Sequence, residues 1–361
     1  MTDAERDGAF MRAAVRLAWR GRGRTAPNPC VGALVVHGGR VIARARTADG
    51  GAPHAEALAL ARAGGRAKGA TLYVTLEPCA HVGRTPPCVD AVLASRVARV
   101  VVGMVDPDLR TAGRSLRRLR RAGVQVAVGV ERAACAELHE GFVSRTTRGR
   151  PFTTLKLAAS LDGRIATSRG DSRWISSEAA RAFVHALRAH SDAVAVGSGT
   201  VLADDPELTA RRGGRVVHRP RRIAVDSRLR TPAGARLTDG AWLLTSRGAP
   251  RARRAALEAA GARVLPVASR AGHLDLRAAW RALGRAGVND LLVEGGGELA
   301  AQLLRAGLVD RMHFFLAPLL IGGDGRAVLG ALGVGRLAQA LRPVRFSWRR
   351  LGPDLHAIAE W

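Results

Sequence analysis

Two short segments, "PHAEALALARAG" (53–64) and "LEPCAHVGRTPPC" (76–88), restrict this chain more than any other feature. The second holds Cys79 and Cys88 in a loop stiffened by three prolines, and the chain has only 4 cysteines, too few for a disulfide framework. The first opens a helix at Pro53 and carries His54 and Glu56. Residues two apart on a regular helix point about 200° away from each other, so these two serve one site only where the helix begins. His54, Cys79 and Cys88 then supply three ligands for zinc and leave a fourth position for water. Three ligands plus an open position is the catalytic pattern, whereas structural zinc has four. Zinc lowers the pKa of its water toward ~7, and Glu56 is placed to carry that proton to a leaving amine.

At 361 residues the chain is long enough for about two domains. No apolar run approaches the ~20 residues that span a bilayer, and the N-terminal stretch has neither a continuous apolar run nor a small-residue cleavage site. A cytoplasmic protein without membrane association is expected, and in that reducing setting neighbouring Cys and His point to metal. The net charge of +27 invites a nucleic-acid partner. However, all but two of the 57 basic residues are arginine, spread through the whole chain. Aromatic residues make up only 4%, and no stacking series is visible, so no nucleic acid is expected as partner.

Hydrophobic periodicity alternates between helix and strand. Helices are expected at about 3–20, 54–64, 87–95, 114–122 and 131–140. Between them run "CVGALVV" and "RVIARA" around the turn "HGGR", then "TLYVTL", "ARVVVGM" and "VQVAVGV". Such alternation implies an α/β sandwich around a mostly parallel sheet. The polar stretch "RTTRGRP" (145–151) is the expected boundary. A second α/β unit follows, with strands "FTTLKLAAS", "AVAVG", "RRIAV", "AWLLT", "ARVLPV", "DLLVEG" and "RMHFFLAPLLI" and a C-terminal hairpin.

The H-x-E…P-C…C pattern is the signature of zinc nucleobase deaminases, with eight residues between the cysteines in place of the usual two. With "APNPCVGALVV" (26–36) upstream, the segment "TLEPCAHVGRTPPC" resembles the deaminase half of the bifunctional riboflavin-biosynthesis deaminase–reductase family. The resemblance continues through "LKLAASLDGRIA", "GDSRWISS", "LRAHSDAVAVGSGTVLADDPELTAR" and "LLVEGGGELAAQLL", in the family's order. It implies a cytidine-deaminase-like α/β/α domain over 1–145, a linker over 146–151 and a dihydrofolate-reductase-like α/β domain over 152–361. Zinc and NADPH are the implied cofactors, and ribosylaminopyrimidine phosphates the implied substrates. Assembly as a homo-oligomer through the reductase domain is also implied, with "FFLAPLLI" either contributing or serving as a core strand.

Carried onto this sequence, the family's deaminase contacts to substrate fall on Asn28, His81 and Arg84. In the reductase half the cofactor contacts fall on Ala158, Trp174, Thr200, Asp204 and Ser227. They continue through the turn formed by Gly296, Gly297, Glu298, Leu299, Ala300, Ala301 and Gln302. Ser172, Arg188, Leu208, Arg211 and Glu294 are the implied substrate contacts, the two arginines being suited to phosphate. Lys156, one of only two lysines, is a candidate for steering substrate or donating a proton. Two stretches depart from the family: Ala45 and Thr47 stand where Gly and His are usual, and the loop "DPNP" reads "DPDL" (106–109). Both leave the metal ligands untouched. The alternatives are a reductase whose first half is degenerate and a zinc deaminase acting on nucleic acid.

Overall fold

Thr2 starts the first helix with a reciprocal cap, its hydroxyl accepting from Glu5 N–H while the Glu5 carboxylate accepts from Thr2 N–H. A computed structural model describes residues 2–83, 86–270 and 272–361, in two compact units, Met1–Gly149 and Arg150–Trp361. Helix α1 (Asp3–Trp19) buries Met11, Ala14, Val15 and Ala18, one stripe at helical spacing. The hairpin β1 (Gly32–His37) and β2 (Arg40–Arg46) turns at Gly38 and Gly39, both with positive φ, as a two-residue turn requires. Then come α2 (Ala55–Ala63), β3 (Thr71–Val74), α3 (Cys88–Ala94), β4 (Arg99–Val102), α4 (Arg114–Arg121), β5 (Gln125–Val128) and α5 (Arg132–Arg148).

The sheet order is β2-β1-β3-β4-β5. Only β3–β4 and β4–β5 pair parallel, so this sheet is mixed and not mostly parallel. The hairpin forces β2 against β1, and β1 meets β3 antiparallel. Strand alternation sends Ala33 and Val35 toward α2, α3 and α4, and Leu34 and Val36 toward α1 and Cys135 of α5. Helices therefore cover both faces, an α/β/α sandwich. Residues 146–148, expected as linker, form the last turn of α5, which ends where Gly149 adopts the left-handed conformation (φ 68°).

The second unit is built on one sheet of nine strands. Its elements are β6 (Phe152–Ser160), β7 (Arg164–Ala166), α6 (Glu178–Ala189), β8 (Ala193–Gly197), α7 (Ser198–Asp204), β9 (Ala210–Arg212), β10 (Arg215–His218) and β11 (Arg221–Val225). They continue with β12 (Trp242–Ser246), α8 (Arg251–Ala259), β13 (Arg263–Val267), β14 (Ser269–Arg270), β15 (His273–Leu274), α9 (Leu276–Arg285), β16 (Asp290–Val293) and α10 (Gly297–Arg305). Last are β17 (Arg311–Ala317), β18 (Arg326–Ala327), β19 (Arg345–Leu351) and β20 (Asp354–Glu360).

The order β13-β12-β11-β8-β16-β6-β17-β20-β19 is parallel as far as β17, after which the C-terminal hairpin adds two antiparallel strands. One face packs on α9 and α10 through Trp280, Leu283, Leu299 and Leu303. Each such buried side chain contributes about 1.5–3 kcal/mol. Of "FFLAPLLI", residues 314–317 belong to the interior strand β17, with Phe315 buried between β6 and β20, whereas Leu320, beyond the end of the strand, is exposed. The outer strand is β19, whose Phe346 and Trp348 are 62% and 65% exposed.

Gly32 shows how tightly α1 lies on β1: a Cβ there would run into the Ala14 carbonyl oxygen and stand 3.2 Å from the Ala18 Cβ. Gly32→Ala should destabilise the first unit by about 1–3 kcal/mol, read as a fall in its denaturation midpoint. An unchanged midpoint would mean that α1 can move off the sheet.

Candidate active sites

In the first unit α2 and α3 both start near the end of β3. His54 is the N-cap of α2, with extended backbone (φ −71°, ψ 156°), so it escapes the helical rotation and Glu56 comes round to the same site. Cys88 is the first residue of α3. His54 Nδ1 lies 3.2 Å from Cys88 Sγ and 3.7 Å from Cys79 Sγ, and the three donor atoms fall within 4.8 Å of one another. One imidazole and two sulfurs form a donor set that fits zinc, where a hard cation would want oxygens. Hydrogen bonds from the Cys88 side chain and His54 lower the Cys79 thiol to about 4. The Cys88 backbone N–H also donates to the Cys79 sulfur, at 3.1 Å. Glu56 is 3% exposed, and burial pushes its carboxyl up to about 7 against a hydrogen bond with the Cys88 thiol.

Asn28 stands beside the trio, its Nδ2 donating to Gly51 O at 2.7 Å and lying 3.4 Å from His54 Nε2. Thr47 is buried and clamps the loop that carries Asn28: its hydroxyl donates to Pro29 O at 3.1 Å and accepts from Val31 N–H at 3.0 Å. His81 Nδ1 lies 3.2 Å from the Thr111 hydroxyl, and Arg84 lies outside the described residues. In the departing "DPDL" loop, Asp106 is buried and pushed up to about 7 by that burial, with Cys79 among the charges acting on it. Asp108 is lowered by its hydrogen bonds from Arg110, and Leu109 is exposed.

The second unit holds a cavity of about 630 Å³ at the carboxyl ends of β8, β11 and β16. Thr200, Asp204, Ser227, Gly296, Gly297, Glu298, Leu299 and Gln302 line it, and so does Ser172. A Cβ on Gly199 would meet nothing within 4 Å, and one on Gly296 only Thr200 Oγ1 at 3.9 Å. Those two backbones are open to a ligand lying at the starts of α7 and α10, a cradle that fits a dinucleotide pyrophosphate. Four expected cofactor contacts are not on this wall. Ala300 and Ala301 are buried behind the turn, and Ala158 packs beside the Phe315 cluster. Trp174 is 70% exposed, with the Arg181 guanidinium 4.7 Å above its ring.

Lys156, Arg188 and Glu294 are brought together in a separate group. Arg188 donates to Glu294 from Nε at 2.6 Å and Nη2 at 2.8 Å, and its Nη1 donates to Thr209 O at 3.0 Å. Three of its five N–H groups are engaged in this way, so Arg188 fixes Glu294 in place. Burial alone would raise Glu294, but Arg188 and then Lys156 outweigh it and hold the carboxyl low. Lys156 is lowered by burial, against the pull of Glu294. Arg211 pairs with Glu207. Leu208 points into the core from a left-handed backbone (φ 55°), leaving only its main chain to face a ligand.

Residues 151–357 match the family described as the RibD C-terminal domain, and residues 4–104 match the cytidine and deoxycytidylate deaminase zinc-binding region. A riboflavin biosynthesis protein RibD of Escherichia coli K12 is 41% identical, over 98% of this chain and 99% of that one. The chain belongs to the RibD family. A Synechocystis RibD is 40% identical over 96% of this chain and 94% of its own length. The solved RibD structure from Acinetobacter baumannii covers 99% of both chains with a TM-score of 0.88 at 35% identity. One from Thermotoga maritima, described as a diaminohydroxyphosphoribosylaminopyrimidine deaminase and 5-amino-6-(5-phosphoribosylamino)uracil reductase, gives 0.84 at 32% identity and covers 99% of each chain.

Within this RibD-family frame the structure adds residues that the sequence reading passed over. His185 accepts the Arg211 N–H on Nδ1 at 3.2 Å and is lowered by burial and by Arg188. Its place three residues before Arg188 on α6, hence on the same helix face, was the available signal. Thr111 had none, because only the folded loop brings it to the site. Purified full-length protein should carry about one zinc per chain. Cys79→Ser and Cys88→Ser should each strip the metal and stop ammonia release, as measured by elemental analysis and an ammonia assay. Metal retained at wild-type content in both variants would remove these cysteines from the ligand set.

Proposed function

We propose that this chain catalyses two consecutive steps of riboflavin biosynthesis. Its first unit hydrolytically removes the 2-amino group of 2,5-diamino-6-ribosylamino-4(3H)-pyrimidinone 5′-phosphate, and its second reduces the ribosyl group of the product to ribityl. The observation that carries this reading is the buried Glu56 set against the His54–Cys79–Cys88 trio. It lies in a chain whose full length aligns with RibD proteins.

His54, Cys79 and Cys88 would hold zinc, which supplies Lewis-acid activation of water. Glu56, with its carboxyl near 7, takes up and releases a proton at working pH, passing one to the ring nitrogen and one to the departing amine. Asn28 and His81 orient the pyrimidine, and Arg84 offers a planar fork to the phosphate.

NADPH, lying on the 296–302 turn and the start of α10, would supply the reducing equivalent. Thr200, Asp204 and Ser227 fix it along the cavity, while Ala158 and Trp174 stand on the nicotinamide side. Lys156 holds a proton on Nζ for the ribose ring oxygen as the sugar opens, and Glu294 keeps that ammonium in place. Arg211 and the Leu208 main chain receive the substrate phosphate, and Ser172 borders both ligands. The exposed edge of β19, carrying Phe346 and Trp348, is the surface a second copy would cover. The reducing cytoplasm suits four free cysteines.

Supplying the diaminopyrimidine phosphate with and without NADPH, and identifying products by mass, tests the order of steps. Without NADPH the deaminated ribosyl compound should accumulate; with it, the ribityl product. Glu56→Ala should slow the first step by roughly 10²–10⁴-fold and leave reduction of supplied aminouracil intact. A folded variant that loses both activities would contradict independent sites. Lys156→Met should reduce kcat of the second step by about 10²-fold with the first unchanged; a full-rate variant would remove Lys156 from the chemistry.

A further inference from the structure

Strand β9 pairs on one side only, with β10 in a two-stranded sheet, so among the described residues its other edge has no strand beside it. Helix α6 lies along that edge. Two of its side chains do there what a neighbouring strand does. Arg188 Nη1 donates to the Thr209 carbonyl at 3.0 Å, and His185 Nδ1 accepts the Arg211 N–H at 3.2 Å. A donor and an acceptor three residues apart on one helix face thus meet an acceptor and a donor on an extended chain. Thr209 and Ala210 are buried, so a backbone group left unmet here is costly.

To accept that N–H the ring must be neutral, with its proton on Nε2. Burial and then the Arg188 charge hold the imidazole below its usual range, and Arg211 adds to them against the Thr209 carbonyl and Glu294. The direction of the Arg211 side chain follows from the backbone fixed in this way. Its Nε donates to the Thr209 hydroxyl at 3.3 Å, and its Nη2 pairs with Glu207. The same face of α6 holds Glu294 through Arg188. One helix therefore sets Arg211 relative to the carboxylate beside Lys156.

On the reading of Arg211 as a ligand of the substrate phosphate, we infer that His185 is a positioning residue for the reduction step. Its neutral imidazole fixes the 209–211 segment and, with it, the aim of the Arg211 guanidinium. It acts through Arg211 and not on the reacting atoms.

Steady-state reduction of 5-amino-6-(5-phosphoribosylamino)uracil by the full-length protein tests the role. His185→Phe keeps a ring and loses the acceptor. It should raise KM for the aminouracil by about tenfold, with kcat and the KM for NADPH within about twofold of wild type. His185→Asn, whose amide oxygen stands as many bonds from the backbone as Nδ1, should return KM to within about threefold of wild type. On the same sugar without its 5′-phosphate, wild type and His185→Phe should agree within about twofold. A wild-type KM in His185→Phe, a fall in kcat alone, an Asn variant no better than Phe, or an equal loss on the phosphate-free sugar overturns the role. Should His185→Phe not fold, His185→Leu takes its place in the same comparison. Arg211→Ala separates the two readings. An unchanged KM in that variant overturns the phosphate contact and the role of His185 together. A raised KM there beside a wild-type KM in His185→Phe overturns the role of His185 alone.

Discussion

The Cys79 sulfur accepts a backbone N–H from the first residue of α3, and His54, capping α2, stands 3.7 Å from it. Both helices therefore aim their N-terminal ends, with partial positive charge, at a cluster that must carry negative charge to hold a metal. The rest of the first unit keeps those two ends in place. Helix α2 buries Ala55, Ala59 and Ala63, small enough to let it lie close against the sheet, and α3 buries Val89 and Val92 beside it. Glu56 gains its buried position from the same geometry, since only at a helix start can it share a site with a ligand two residues earlier.

A similar rule operates in the second unit. Parallel strands end together, and the connections that follow them bring helix starts and loops to one rim. The turns after β8, β11 and β16 build the cavity. The mixed first sheet keeps the rule only where it is parallel, from β3 to β5, and there the metal trio and the 106–111 loop are found. The antiparallel hairpin adds no chemistry of its own but supports the Asn28 loop, through Thr47 just beyond β2. Thr47 thus fills a position where the family usually has histidine with a structural clamp.

What the sequence disclosed was whatever depends on short spacing. His54 and Glu56, the two cysteines, the two-glycine hairpin and the helix starts are local signals, and each carries its own physical reason. Side-chain direction was less legible. Trp174 lies out in solvent under Arg181, and Leu208 points into the core. Arg188, an expected phosphate ligand, turns three of its N–H groups to Glu294 and Thr209. These depend on which partner is nearest in space, and in a chain with so many arginines the sequence does not say which guanidinium already has a carboxylate. Helix α5 runs three residues into the stretch read as linker because polar residues do not by themselves end a helix, and it stops where Gly149 turns left-handed, at the boundary between the two units.

That abundance of arginine gives Lys156 its meaning. Arg150 with Asp310, Arg99 with Asp7, and Arg188 with Glu294 are all close pairs in which a permanent cation satisfies a carboxylate. Arginine serves such pairs well because it stays charged and binds through a planar fork. It serves proton transfer poorly for the same reason. Lys156 sits where burial lowers its affinity for a proton and Glu294 partly restores it, a balance only an ammonium can exploit. An arginine there would keep the charge and lose the exchangeable proton. On the proposed reading, the Arg188–Glu294 pair and Lys156 divide one site between a cation that only holds and a cation that can give.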